Sequence, residues 1–130
     1  MTERKALVVE DEPNIRYLIQ CSLEDFGGWQ VLSAASGEEA LTMASREHPD
    51  VILLDIMLPG MDGPTIYSRL MADSECAAIP VIFMTAKAQM HEVERYLALG
   101  ASGVITKPFD PLRLSERILE LIEPKNHPAV

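Results

Sequence analysis

The sequence is short of cysteine, of basic residues and of long hydrophobic runs, and each shortage excludes a class of protein. Its two cysteines, Cys21 and Cys76, lack the spacing of metal ligands, so we expect free thiols rather than a disulfide. The purely apolar runs are only a few residues long, whereas a membrane helix needs about 20. The first residues also lack a signal-peptide pattern, so we expect a cytoplasmic protein without a membrane segment.

Basic residues are outnumbered, with 11 Lys and Arg against 20 Asp and Glu, which gives a formal charge of −9. Nucleic acids and anionic lipids attract clustered Lys and Arg, so we expect direct binding to neither. The three histidines, His48, His91 and His127, are scattered along the chain without a paired ligand. Each is therefore expected to be an ordinary surface or partly packed side chain rather than a metal ligand.

The composition that remains is that of a globular protein. Of the 130 residues, 48% are apolar and 24% charged, and a chain of this length can bury a core without a metal or disulfide. There is no low-complexity tract and no internal repeat. We expect one domain over residues 1–123, followed by a flexible C-terminal tail over residues 124–130.

Five short runs rich in Val, Ile and Leu predict strands, and the stretches between and after them have apolar residues at helical spacing. The runs are Ala6–Val9, Gln30–Ala34, Val51–Leu54, Val81–Met84 and Val104–Thr106. A βα unit repeated five times predicts an α/β protein with a parallel sheet covered on both faces. The first, third and fourth runs are the most continuously apolar, as expected for interior strands. This distribution indicates a flavodoxin-like (βα)5 doubly wound sheet with strand order 2-1-3-4-5.

Local signals predict several helix boundaries. Ser36 and Glu39 have the spacing of a capping box, and Asp110 followed by Pro111 predicts an N-cap with proline at the first helical position. Gly27 and Gly100 are predicted to end the helices that precede them.

Polar residues follow four of the five apolar runs. They are Glu10-Asp11-Glu12, Asp55, Thr85 and Thr106-Lys107-Pro108. In a doubly wound sheet the ligand site lies outside the carboxyl ends of the strands, so these residues are predicted to meet at one edge.

Taken singly, these residues have ordinary interpretations: an acidic loop in solvent, a strand-end hydroxyl on Thr85, and a surface cation on Lys107. Together they favour a metal site. Asp55 is expected to lie beside other carboxylates at the end of a buried strand, and a hard cation such as Mg²⁺ would offset the cost of their repulsion and desolvation. A phosphoryl group on Asp55 would present three anionic oxygens, which a metal, a hydroxyl and an ammonium group could contact.

Two nucleotide-binding classes fit the sequence poorly. A dinucleotide or flavin phosphate site requires a glycine-rich turn after the first strand, where this chain has three acids that would repel phosphate. A GxxxxGK[ST] phosphate loop is also missing from the sequence.

The motifs closely resemble those of the response regulator receiver domain, from about Arg4 to Ile122. They are Leu7-Val-Val-Glu-Asp-Glu-Pro13, Leu53-Leu-Asp-Ile-Met-Leu-Pro-Gly-Met-Asp-Gly63, Ile82-Phe-Met-Thr-Ala86 and Gly100-Ala-Ser-Gly-Val-Ile-Thr-Lys-Pro-Phe109. The resemblance implies a phosphorylation-dependent switch of a two-component system. Such a domain is not a general enzyme, since it catalyses only its own phosphoryl transfer and a slow dephosphorylation.

The resemblance also implies a role for each site residue. Asp55 would be the phosphoacceptor, Lys107 would contact the phosphoryl group, and Thr85 with the N–H of Ala86 would bind its oxygens. Mg²⁺ would be held by Asp11, Asp55, the backbone carbonyl of Met57, and Glu10 through water, and the Lys107–Pro108 bond would be cis. The donor would be a sensor histidine kinase, a histidine phosphotransfer protein or a small acyl phosphate. The downstream protein target is not specified.

One residue departs from the family pattern, and two rival classes remain open at this point. Val104 occupies the position of the usual switch aromatic, so the signal is expected to pass through Thr85 and the helix around Met90–Leu99, with Val104 only packed. A haloacid-dehalogenase-like phosphatase would need a second aspartate at the position of Met57. A pseudo-receiver that keeps the fold without accepting phosphate is opposed by the complete set of site residues.

Overall fold

The computed structural model describes residues 4–86 and 89–123. The predicted tail, residues 124–130, lies outside that part of the chain. The strands are β1 (Lys5–Val9), β2 (Gln30–Ala34), β3 (Val51–Asp55), β4 (Val81–Thr85) and β5 (Gly103–Thr106). The helices are α1 (Pro13–Gly27), α2 (Gly37–Glu47), α3 (Gly63–Ala72), α4 (Met90–Leu99) and α5 (Leu114–Ile122).

All four strand pairings are parallel, and the strand order is β2-β1-β3-β4-β5, which confirms the predicted flavodoxin-like topology. Every residue of β3 and β4 is buried, whereas β2 at the sheet edge is only partly covered. The strength of the apolar runs therefore predicted which strands are interior.

Two hydrophobic cores lie on opposite faces of the sheet. Along β4, Val81 and Phe83 face the core formed with α2, α3 and α4, and Ile82 and Met84 face the core formed with α1 and α5. Successive side chains of a strand point to opposite faces, so a strand buried on both sides must be apolar throughout. Within residues 4–86 and 89–123, no helix has the length and hydropathy needed to cross a bilayer.

Two of the predicted helix boundaries are confirmed by their capping geometry. The N–H of Glu39 donates to Ser36 Oγ at 3.3 Å, and Glu39 Oε1 accepts from the N–H of Ala35 at 2.7 Å. The return bond of this capping box thus comes from the residue before the N-cap rather than from Ser36 itself. Gly100 ends α4 with φ of 115°, a left-handed conformation that favours glycine.

The predicted start of α5 is wrong by three residues, whereas α1 ends at Gly27 as predicted, with the next residue as its cap. Asp110 Oδ1 accepts from the N–H of Leu112 at 3.0 Å, but this caps a separate turn, and the helix itself begins at Leu114. The N–H of Arg113 bonds the carbonyl of Asp110, an i to i+3 closure that is tighter than an α-helical turn. In α1, Gly27 is the last helical residue, and the left-handed glycine is Gly28, with φ of 67°.

Candidate functional site

Three carboxylates meet at the carboxyl edge of the sheet. One oxygen each from Glu10, Asp11 and Asp55 lies within 4.8 Å of the other two. Glu10 and Asp55 are only 2% and 6% exposed, whereas Asp11 faces solvent. Buried like charges at this spacing repel one another, and oxygen ligands grouped in this way fit a hard divalent cation such as Mg²⁺.

The acidic triplet divides between two roles. The Glu12 carboxylate accepts from the N–H of Ile15 at 2.8 Å and caps α1, whose first residue is Pro13. An acid at this position stabilises the helix start. Glu12 therefore has a structural role at the helix start, and of the triplet only Glu10 and Asp11 join Asp55.

Lys107 extends into the carboxylate cluster from the end of β5. Its Nζ lies 2.8 Å from Glu10 Oε1 and 3.3 Å from Asp55 Oδ2, and its side chain is only 16% exposed. Burial alone would lower the pKa of Lys107, but the hydrogen bond to Glu10 and the charge of Asp55 outweigh it, so the pKa is raised. Burial raises the pKa of Glu10 despite the opposing hydrogen bond from Lys107. The ammonium is thus firmly charged and offsets part of the carboxylate repulsion.

The Asp55 carboxylate is oriented from both sides. The N–H of Met57 donates to Oδ1 at 3.2 Å, while Lys107 contacts Oδ2. The loop that follows is closed by the N–H of Gly63, which donates to the carbonyl of Ile56 at 2.9 Å. A Cβ at Gly63 would lie 2.9 Å from the Cα of Ile56, so only glycine permits this close approach without displacing the backbone beside Asp55.

Thr85 is placed in the same edge by strand register. It ends β4, is 6% exposed and pairs with Thr106, and its carbonyl accepts from the N–H of Lys107 at 2.7 Å. The Lys107–Pro108 bond is cis, as the resemblance implies. Ala86 follows Thr85 and lies exposed at the start of the next loop.

An apolar cavity of about 370 Å³ is lined in part by Lys107. It is lined by Ile15, Leu18, Ala86, Lys107, Pro108 and Phe109. The site thus combines a charged centre with an adjacent apolar surface.

A family model of the response regulator receiver domain matches residues 6–119. The chain belongs to this family. Receiver domains are signalling domains of two-component response regulators.

Individual relatives agree with this assignment. The receiver domain is 37% identical over 130 residues to a probable transcriptional regulator, ycf27, of Cyanophora paradoxa, covering 100% of this chain and 53% of the relative. Chemotaxis response regulator CheY4 of Vibrio cholerae has a TM-score of 0.86 at 30% identity, with coverage of 93% of this chain and 100% of CheY4. The receiver domain of sensor histidine kinase PA1611 from Pseudomonas aeruginosa, solved with a coordinated magnesium ion, has a TM-score of 0.80 at 32% identity, with coverage of 92% and 96%. The chain spans about half the length of the curated relatives it matches.

The receiver domain brings together the side chains of Glu10, Asp11, Asp55 and Lys107, as the sequence predicted. Val104 is half-buried, pairs with Phe83 and packs on the adjacent core, which confirms the expectation of an ordinary edge-strand side chain. The individual chemical roles of the site residues stay predictions.

One residue at the site was missed from the sequence. The family motifs assign no role to Arg16. Its Nη1 nevertheless donates to the carbonyl of Glu10 at 2.9 Å and lies 3.5 Å from the carbonyl of Asp11. Arg16 is the fourth residue of α1, and long helical side chains point back toward the helix N-terminus. A basic residue one turn after an acidic strand end is therefore a signal that could have found it.

Proposed function

We propose that this receiver domain is a phosphorylation-dependent switch in which Asp55 is the phosphoacceptor. The observation that supports this most directly is the Asp55 carboxylate, buried at the strand edge between two further carboxylates and the Lys107 ammonium. A carboxylate in such a setting can act as a nucleophile while charged groups beside it stabilise the transferred phosphoryl group.

In the proposed reaction an Asp55 oxygen attacks the phosphorus of a phosphohistidine. The P–N bond breaks, an acyl phosphate forms, and the electron pair leaves with the imidazole nitrogen, which takes a proton. Lys107 turns from Glu10 toward the phosphoryl oxygens, and Thr85 and the N–H of Ala86 bind them. Water later hydrolyses the acyl phosphate, so the domain catalyses only its own transfer and slow dephosphorylation.

The same residues fit a resident magnesium ion. Asp11 and Asp55 would bind it directly, with the backbone carbonyl of Met57, and Glu10 would act through water. When bound, Mg²⁺ offsets negative charge on the phosphoryl oxygens. A related receiver domain, that of PA1611, has been solved with magnesium in its active-site cleft.

The proposed donor is a sensor histidine kinase or a histidine phosphotransfer protein. The apolar cavity beside Lys107 supports a protein donor, because apolar side chains flanking the phosphohistidine could be buried there during transfer. Small acyl phosphates would serve as substitutes that need only the charged centre.

The proposed output surface is α4 with β5, where a downstream protein would bind. Phe83 precedes Thr85 by two residues on the same face of β4. The centroid of its ring lies 5.0 Å from the centroid of the Tyr96 ring in α4. Movement at Thr85 would therefore reach α4 through this aromatic contact, without a ring at Val104. With a charge of −9, direct nucleic-acid contact is not part of the proposal.

The test of the proposed function is intact mass after incubation with acetyl phosphate and Mg²⁺. The native protein should gain one phosphoryl group, and omission of Mg²⁺ should prevent most of the gain. A chain that never gains the mass, from either acetyl phosphate or a phosphorylated phosphotransfer protein, would be a pseudo-receiver.

The route of the switch is tested by replacing Thr85 and Val104 separately with alanine. Thr85→Ala should keep much of the acceptor chemistry but lose the phosphorylation-dependent shift of amide signals over Met90–Leu99. Val104→Ala should keep that shift and lose about 0.5–2 kcal/mol of unfolding free energy through reduced packing. Backbone amide spectra with and without a phosphoryl mimic measure the shift, and denaturant unfolding measures the stability. The reverse pattern would make Val104 the coupling residue.

Crowding of the carboxylates should be visible in the melting temperature. Mg²⁺ should raise the melting temperature, because binding to the folded state adds about 2.7 kcal/mol to the unfolding free energy when the ion concentration is a hundred times its Kd. Without metal, Asp55→Asn should melt above native, because Lys107 keeps its shorter contact to Glu10 while one repelling charge disappears. Asp25 is exposed, and Asp25→Asn is the matched control. It should show the same rise with Mg²⁺ as native and should lack the metal-free gain expected of Asp55→Asn. A metal-free Asp55→Asn protein that melts at or below native would mean that Lys107 already balances the cluster.

A further inference from the structure

We propose that Arg16 is a positioning residue for the magnesium site, holding the backbone of the acidic loop in its ligand-binding arrangement. This inference rests on the proposed function, since it assumes that the carboxylate cluster binds a cation. Arg16 Nη1 donates to the carbonyl of Glu10 at 2.9 Å and lies 3.5 Å from the carbonyl of Asp11. These are the two loop residues whose carboxylates approach Asp55.

The loop needs such a restraint because its own charges oppose its geometry. Glu10, Asp11 and Asp55 converge within 4.8 Å, and their repulsion favours a rearrangement that separates them. On one side the backbone is fixed by the N–H of Glu10, which donates to Ala34 at 3.0 Å, and on the other by the Glu12 cap of α1. Arg16 reaches back from α1 to the carbonyls between these two points.

The two basic residues of the site have different functions. Lys107 contacts carboxylate oxygens of Glu10 and Asp55 and must yield them to a cation or phosphoryl group. Arg16 contacts carbonyl oxygens, and among the described residues it forms no ion pair with a carboxylate. It therefore restrains the loop without occupying ligand atoms, as hydrogen bonds to the residues around a metal site do.

Charge and positioning predict opposite effects of removing Arg16. If its positive charge alone mattered, a neutral side chain would strengthen Mg²⁺ binding by relieving repulsion. If Arg16 positions the loop, the same change weakens Mg²⁺ binding, because part of the binding free energy is then used to order the loop and bring its carboxylates together. The sign of the change in affinity separates the two.

The experiment is a calorimetric Mg²⁺ titration of the full chain in native, Arg16→Met, Arg16→Lys and Arg69→Met forms. Arg16→Met keeps the aliphatic stem and removes the donors, and we expect about tenfold weaker binding. Arg16→Lys restores one N–H for the carbonyl of Glu10 and should recover most of the affinity. Arg69 is an exposed residue in the last turn of α3, so Arg69→Met should bind as native does.

Each outcome supports or overturns the inference. Binding by Arg16→Met that equals or exceeds native, or Arg16→Lys as weak as Arg16→Met, would overturn the role of Arg16 while leaving the proposed function intact. If Arg16→Met fails to fold, Arg16→Ala takes its place, because alanine also lacks the donors and has a high helix propensity, and about tenfold weaker binding is again expected. Failure of the native protein to bind Mg²⁺ would overturn the proposed metal site and the inference together.

Discussion

Asp55→Asn is expected to abolish covalent phosphorylation, with no phosphoryl mass gained under conditions that label the native protein fully. The substitution preserves shape and replaces an anionic oxygen by a neutral amide that cannot attack phosphorus effectively. The amide can still interact with Lys107 and Met57, so the loop around it should remain in place. The measurement is intact mass after incubation with acetyl phosphate and Mg²⁺, followed over time.

Asp62→Asn is the matched control for this substitution. Asp62 lies in the same loop and caps α3, accepting from the N–H of Thr65 at 2.9 Å. Asparagine caps helices about as well as aspartate, so labelling should match native. Undiminished labelling of Asp55→Asn would place the phosphoacceptor elsewhere and reject the central assignment.

Asp11→Ala is expected to reduce Mg²⁺ affinity on the order of a hundredfold or more, beyond the effect of an outer hydrogen-bond partner. Asp11 is the exposed carboxylate of the cluster, and its removal would take both a charge and a direct oxygen ligand from the proposed cation site. Phosphorylation at limiting Mg²⁺ should slow in parallel and recover partly at high Mg²⁺. Calorimetric titration and the rate of phosphoryl mass gain measure the two effects.

The neighbouring acid provides a control with the opposite outcome. Glu12→Gln keeps a side-chain oxygen that can accept from the N–H of Ile15 and removes only the charge, so it should bind Mg²⁺ within a few-fold of native. Equal loss of affinity in both variants would show that the loop responds only to total charge. Unchanged affinity in Asp11→Ala would move the metal site away from Asp11.

Sequence reasoning failed where two local signals competed or where a contact was not part of a motif. Asp110 and Pro111 have the residue types of a helix start, but their capping bond closes a turn three residues before α5. Gly27 and Gly28 are adjacent, and only the backbone shows that Gly28 takes the left-handed conformation. An isolated arginine on a helix is most often solvated, so residue type alone does not place Arg16 at the site.

The fold class, the strand order and the edge at which the polar residues gather could all be predicted from the residue pattern. Periodicity and strand-end chemistry are local properties, and a doubly wound sheet brings its carboxyl ends together whatever the details of packing. Three contacts could be seen only in the folded chain: the acid that caps α1, the carbonyls to which Arg16 donates, and the approach of Lys107 to Glu10 across 97 positions of sequence. Those contacts depend on side-chain directions and on the packing of helices against the sheet, which are set by the whole core rather than by neighbours along the chain.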